Sequence, residues 1–165
     1  MQKSSASEPA EGAPPGRPRA DDPLFIASLL DTLRAEFGAR TMYGRLSARV
    51  RDRELGRLLG HFHDEEGAQI ERLRAMLATL GVRAPAAAHR RSATARVLAL
   101  FAHVGAARLC LRLCHASEST LQSRYREYTF FLARVGNLDA ARVCEELALT
   151  KERHALSLEA WIGPV

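Results

Sequence analysis

The sequence has few lysines, few aromatic residues and no basic run of the kind that binds nucleic acid. Only Lys3 and Lys151 among the 24 basic residues are lysines, and aromatic residues make up 6% of the 165 positions. The arginines are spread along the chain without interleaved aromatic residues, so we expect no nucleic-acid partner. The net charge of +5 still allows contact with an anionic lipid surface or an acidic partner.

The three cysteines do not suggest a disulfide framework. Cys110, Cys114 and Cys144 are odd in number, which is typical of a reducing compartment, so we expect a cytoplasmic protein. Cys110 and Cys114 stand one helical turn apart. That spacing suits a soft metal but is commoner for thiols packed in a helix core.

No segment has the composition of a signal peptide or of a membrane-spanning helix. Residues 1–22 are rich in Pro, Ala and Ser, so we expect a disordered tail before one helical domain at 23–162. The longest mostly apolar stretch, residues 97–114, is interrupted by one histidine and two arginines. We therefore expect segment 96–112 to contact a membrane surface or a partner protein, or to pack over one end of the domain.

Apolar residues recur at helical spacing in four long segments, and no segment alternates as a strand does. The first predicted helix covers about 23–50, the second runs from a cap at Asp52 to Gly81, the third region runs from Ser92 to Gly136, and the fourth covers about 138–162. The third region is too long for one helix of a small domain, so we expect a break near Gly105. The pattern predicts an all-α, antiparallel four-helix bundle with an extra helical segment before the third bundle helix.

Each predicted helix carries polar residues near the middle of an otherwise apolar stripe. These residues are Glu36 in the first helix, Glu66 and Gln69 in the second, Glu118 in the third, and Lys151 and His154 in the fourth. Mid-helix positions of an antiparallel bundle meet in one layer, so six polar groups should converge in the core. Unpaired charge is costly there.

These residues and their neighbours also allow other interpretations. Lys151 reaches solvent if the fourth helix is rotated, and His154 suits a metal ligand or a hydrogen-bonded core histidine equally. His63, three residues before Glu66, could supply an imidazole to the layer or lie in an exposed turn. Tyr43 and Tyr125 could hydrogen-bond the layer from a second shell or pack as ordinary core tyrosines.

Four segments carry a resemblance to a known family. They are "AEFGARTMYGRL" (35–46), "HFHDEEGAQIERLRAMLATLG" (61–81), "HVGAARLCLRLCHASESTLQSRY" (103–125) and "TKERHALSLEAW" (150–161). Their order of Glu, Glu-x-x-polar, Glu and polar-x-x-His is that of carboxylate-bridged di-metal bundles. The chain resembles the ferritin-like superfamily, and most closely the demethoxyubiquinone hydroxylase family, over roughly 24–162.

The resemblance implies a di-iron enzyme that uses dioxygen to hydroxylate a quinone-ring precursor, with segment 96–112 near the quinone access route. It places metal ligands at Glu36, Glu66, Glu118 and His154. Gln69 stands where the family has a histidine, and Lys151 stands where the family has a bridging glutamate. The two departures put a full di-iron centre in doubt.

A charge count limits how many metal ions this layer can hold. Three carboxylates, one ammonium and a neutral imidazole balance one divalent ion, and two ions would leave excess positive charge in the core. We expect either no metal or one divalent ion, iron or manganese. We therefore expect Lys151 to replace a metal charge by bridging Glu66 and Glu118. A planar guanidinium would fit less well.

The sequence leaves the function open between two classes. One is a ferritin-like protein without a full di-iron centre, with a structural, regulatory or partner-binding role. The other is a metal-dependent monooxygenase or hydroxylase that acts on a hydrophobic, quinone-like substrate through an altered or mononuclear site. Iron storage is least supported, because ferroxidase chemistry needs two adjacent irons. Pairing into a homo-dimer through an exposed apolar flank is a further expectation.

Overall fold

The computed structural model describes residues 19–85 and 107–163. Four helices make up nearly all of this part of the chain, which contains no strand. They are α1 (Pro23–Ser47), α2 (Arg53–Thr79), α3 (Ala107–Arg134) and α4 (Leu138–Ile162). The prediction of an all-α four-helix bundle is confirmed. Residues 1–18 of the predicted tail (1–22), the extra segment before the third helix and the break at Gly105 lie outside the described residues.

Side chains that accept backbone hydrogen bonds set where three of the helices begin. Asp22 accepts from the N–H groups of Leu24 and Phe25 at the start of α1, with Pro23 in the first turn. Asp52 does the same for α2, and Asn137 accepts from Ala140 at the start of α4. These caps satisfy N–H groups that have no partner inside the helix.

Glycines in the left-handed region follow α2 and α3. Gly81 has a φ of 76° and Gly136 a φ of 83°, and other residues adopt this conformation only with strain. The first helix ends at Ser47, three residues before the predicted end, because the chain turns there toward the cap at Asp52.

Contacts between helices fix their relative directions. The start of α1 contacts the end of α3 through Ser28 and Tyr128, and the end of α1 contacts the first half of α3 through Tyr43 and Glu118. These two helices are therefore antiparallel. A short turn makes α1 and α2 antiparallel as well, with the ring of Tyr43 against Phe62. It follows that α2 and α3 run in the same direction.

The end of α2 and the start of α3 therefore lie at opposite ends of the bundle. A helix of 27 residues is about 40 Å long, so about that distance separates these two ends. A simple up-and-down bundle would instead place them side by side. Among the described residues, none of the helices combines the length and the apolar composition needed to cross a membrane.

Two apolar clusters fill the core on either side of a polar layer. One cluster surrounds Leu33, Leu73 and Leu147, and the other surrounds Leu59, Phe62 and Leu158. The polar side chains from the middle of each helix lie between the two clusters. Water is excluded above and below the layer, so its charged groups must satisfy one another.

Candidate functional site

The six polar side chains predicted to converge are all buried. Glu36, Glu66, Glu118, Lys151 and His154 have no exposed surface, and Gln69 is 4% exposed. Each of them lies on a helix face that also carries buried apolar residues three or four positions away. Packing of that face against the core therefore buries the polar residue as well. The alternative in which Lys151 reaches solvent is wrong.

Lys151 lies at the centre of the layer. Its Nζ donates to Glu36 Oε2 at 2.6 Å and to Glu66 Oε1 and Oε2 at 2.6 and 2.7 Å. The expected bridge between Glu66 and Glu118 needs correction, because the second close partner is Glu36 and the nearest oxygen of Glu118 is 3.6 Å away. The other oxygen of Glu118 accepts from Tyr43, which holds that carboxylate away from the amine.

Two tyrosines complete the hydrogen bonding of the outer carboxylates. The Tyr125 hydroxyl donates to Glu36 Oε1 at 2.6 Å, and the Tyr43 hydroxyl donates to Glu118 Oε1 at 2.7 Å. Burial and the adjacent carboxylates raise the pKa of both hydroxyls well above the ordinary value, so both remain donors at neutral pH. The structure thus places Tyr43 and Tyr125 in direct contact with the layer.

His154 connects the layer to the surface through Glu65. Its Nε2 donates to Glu65 Oε2 at 2.7 Å, and Glu65 is partly exposed. Its Nδ1 lies 3.4 Å from Glu66 Oε1 and from Glu118 Oε2, and its ring stacks on Phe62 at 4.0 Å. A bare Nδ1 lone pair would face two oxygens that also carry lone pairs. A proton or a cation is needed between them.

The side chains of the layer supply this proton and the positive charge themselves. Burial lowers the pKa of His154, but the adjacent carboxylates of Glu118, Glu66 and Glu65 outweigh it and raise the pKa to about 9. Burial likewise opposes the charge on Lys151, but Glu36, Glu66 and Glu118 hold its pKa above the ordinary value. Both cations are therefore present at neutral pH.

The carboxylates share the remaining charge unequally. Burial raises the pKa of Glu36, yet the adjacent Lys151 outweighs this effect and holds the pKa below its ordinary value. Burial and the charge of Glu36 raise the pKa of Glu66 well above its ordinary value. A raised pKa of Glu66 lowers the negative charge that the two cations of the layer have to balance.

Four buried polar atoms nevertheless lack a hydrogen-bond partner among the described residues. They are Gln69 Oε1, Gln69 Nε2, Glu118 Oε2 and His154 Nδ1. Gln69 projects from the same face of α2 as Glu66, one turn further along. Its amide makes no hydrogen bond that explains its burial.

Glu66, Glu118 and His154 could hold one metal ion. One donor atom from each lies within 4.8 Å of the others. The two 3.4 Å separations measured from His154 Nδ1 suit donors at about 2.1 Å from a shared tetrahedral ion. Lys151 Nζ lies 2.6 Å from both Glu36 and Glu66, so an ion bound by these two carboxylates would lie next to an ammonium group.

The structure separates other candidates from the layer and adds one. The Nδ1 of His63 lies 2.8 Å from the Arg40 carbonyl oxygen, so this nitrogen contacts the backbone of α1 and does not supply an imidazole to the layer. Sequence reasoning missed Glu65, whose only signal was its position beside Glu66. The three cysteines are free and buried, and Cys114 donates to Met42 as a core thiol.

Comparisons with known proteins identify the fold and no more. No family model matches the chain, and no curated protein matches it. A crystal structure of a protein from Xanthomonas campestris pv. campestris is similar to it, with a TM-score of 0.68 and 19% sequence identity over 81% of this chain and 84% of that chain. At this identity the likeness extends to the fold alone.

Proposed function

We propose that the chain is a ferritin-like bundle in which an internal ammonium replaces the di-metal centre. The protein then has a structural, regulatory or partner-binding role and does not activate oxygen. The shared direction of α2 and α3 supports this assignment, since ferritin-like bundles have one connection that joins opposite ends of the bundle. The mid-helix order of Glu36, Glu66, Glu118 and His154 supports it as well.

The observation that carries the proposal is the position of the Lys151 amine. Its three contacts of 2.6 to 2.7 Å with Glu36 and Glu66 involve the carboxylates that would bridge or terminate two metal ions in a di-metal bundle. An ammonium there satisfies both carboxylates with hydrogen bonds and contributes one positive charge. It has no redox chemistry.

Electrostatic repulsion opposes a di-metal centre next to this amine. A divalent ion about 4 Å from the ammonium would be repelled by roughly 8 kcal/mol at an effective dielectric constant near 20. Loss of the Lys151 proton would not readily remove this repulsion, because the carboxylates hold the pKa of Lys151 above the ordinary value. Metal binding would have to displace the Lys151 side chain or offset this repulsion.

Metal titration of two variants tests the proposal. The double variant Gln69→His and Lys151→Glu restores an imidazole and a carboxylate, and we expect it to bind two equivalents of ferrous iron or manganese per chain. The wild type should bind at most one. The matched control Gln69→His with Lys151→Met removes the ammonium without adding a carboxylate, and it should bind fewer equivalents than the double variant. Two tightly bound equivalents in the wild type would refute the proposal.

A second candidate function is a metal-dependent oxidoreductase with a mononuclear site. The observation that favours it is the pair of atoms without hydrogen-bond partners, Glu118 Oε2 and His154 Nδ1, which lie 3.4 Å apart beside Glu66. Iron held by these three residues would supply one-electron chemistry with dioxygen. One equivalent of iron with dioxygen uptake that depends on a quinone-like substrate would support this function over the first.

A further inference from the structure

The turn between α1 and α2 concentrates positive charge at one end of the bundle. Residues 45–57, which we call the arginine turn, contain five arginines and only two acidic residues, Asp52 and Glu54. The arginines are Arg45, Arg49, Arg51, Arg53 and Arg57. All five are exposed. Asp52 already accepts two backbone N–H groups as the cap of α2.

In the described part of the chain, the arginines of the turn lack the ion pairs that several other surface arginines form. Six other arginines form ion pairs with Asp or Glu. Within residues 19–85 and 107–163, no carboxylate forms an ion pair with any arginine of the turn. Among the described residues, one hydrogen bond from these side chains is present, from Arg57 Nε to the Arg53 carbonyl oxygen. The five guanidinium groups therefore repel one another without a compensating ion pair in the described part of the chain.

An open cleft of about 710 Å³ lies against the turn and is lined by Arg51, Arg53 and Arg57. Gly56 and Gly60, one turn apart on α2, also line it and leave the helix surface bare. A Cβ added at Gly60 would meet no atom within 4 Å, so packing within the bundle does not require glycine there. Mid-helix glycine is unfavourable, and a bare surface gives a bound group room to approach the helix.

We propose that this cleft binds a small ligand that carries at least two phosphate groups. The planar guanidinium donates two parallel hydrogen bonds to a phosphate, and Arg51, Arg53 and Arg57 together match more than one phosphate charge. The Asp52 carboxylate occupies the first N–H groups of α2, so the ligand contacts arginine side chains. The cleft volume lies within the range of about 300–1,000 Å³ that small-ligand sites have.

The site is separate from the acidic layer, and its test does not depend on the metal content of the protein. The probe is inorganic pyrophosphate, titrated calorimetrically into the full chain at low ionic strength. The cleft variant replaces Arg51, Arg53 and Arg57 with glutamine. The matched control replaces Arg83, Arg134 and Arg142, three exposed arginines near the opposite end of the bundle, so both variants lose the same charge.

We expect saturable binding to the wild type and to the control, and binding weaker by about tenfold or more in the cleft variant. Gly60→Leu should also weaken binding, since it fills the cleft and keeps every charge. Unaltered melting curves show that each variant folds. Absence of saturable binding to the wild type, or equal weakening in both triple variants, would overturn the proposal.

The same variants distinguish a free ligand from a lipid headgroup. Flotation with phosphatidylcholine vesicles, with and without phosphatidic acid, should show retention that depends on phosphatidic acid and on the cleft arginines if the phosphate belongs to a lipid. Pyrophosphate binding without vesicle retention assigns the cleft to a free ligand. Vesicle retention that the cleft variant keeps in full would count against the site.

Discussion

Replacing Lys151 with methionine should destabilise the protein strongly at pH 8 and weakly at pH 5. Methionine has nearly the length of lysine but leaves Glu36 and Glu66 without the ammonium that bonds them at 2.6 to 2.7 Å. None of the three side chains is exposed. Breaking a buried pair on one side costs about 3–5 kcal/mol, and we expect a loss of that size at pH 8.

The pH dependence of this loss follows from the carboxylates that remain. Without the ammonium, burial raises the folded-state pKa of Glu36 above its unfolded value, and the pKa of Glu66, which is already raised, increases further. A carboxyl group with a raised pKa destabilises the fold once pH exceeds its unfolded pKa, which is near 4.3 for glutamate. As pH falls toward 5 the buried carboxyl groups take up protons, so the penalty should shrink to about 1 kcal/mol, the cost of altered packing.

Urea denaturation at the two pH values, in the presence of a chelator, measures both effects. The matched control is Arg126→Met, which removes a cation from an exposed pair with Glu152 and should change stability by less than about 1 kcal/mol at either pH. A loss below about 1 kcal/mol at pH 8 for Lys151→Met would show that the amine is in water. An equal loss at both pH values would show that charge is not the cause.

Three further substitutions or conditions test other parts of the structure. The pKa of His154 rises from 6.5 to about 9 on folding, so its positive charge stabilises the fold fully below pH 6.5. This contribution, about 3 kcal/mol, is lost as pH rises through 9. A urea midpoint of the metal-free protein that does not change between pH 6.5 and 9 would contradict the assignment. Gln69→Met removes two buried polar atoms without partners and should leave stability unchanged or raise it by about 1 kcal/mol; a clear loss would show that the amide is hydrogen-bonded in solution. Gly60→Ala should raise the free energy of unfolding by about 1 kcal/mol. The control Gly44→Ala should lower the free energy of unfolding, because its new Cβ would lie 2.9 Å from His63 Nδ1.

The bundle itself could be predicted because apolar periodicity and capping residues agree along the chain. Asp52 marks the start of α2, and Gly81 and Gly136 mark the ends of α2 and α3. The convergence of the polar layer followed from the same periodicity. A charged residue on an apolar stripe is carried into the core with its neighbours, and this holds even for a lysine.

The sequence could not predict which side chains of the layer form hydrogen bonds with one another. Differences of about one ångström in helix rotation and side-chain reach determine these partners. Lys151 reaches Glu36 more closely than Glu118, since Tyr43 holds the latter. Glu65 is the clearest omission. It flanks the apolar stripe and so suggests a solvated side chain, yet the edge of α2 faces α4 and brings it to His154. His63 turns instead toward the Arg40 carbonyl group.

The most direct test of the central claim observes the Lys151 ammonium itself. The chain has two lysines, Lys3 and Lys151, so protein labelled with ¹⁵N and ¹³C lysine gives two side-chain signals, which Lys151→Met assigns. If a buried amine takes the place of a metal charge, one signal exchanges slowly with water and titrates above the ordinary lysine value, and stoichiometric manganese leaves it in that state. Two signals that exchange rapidly and titrate alike would contradict the claim.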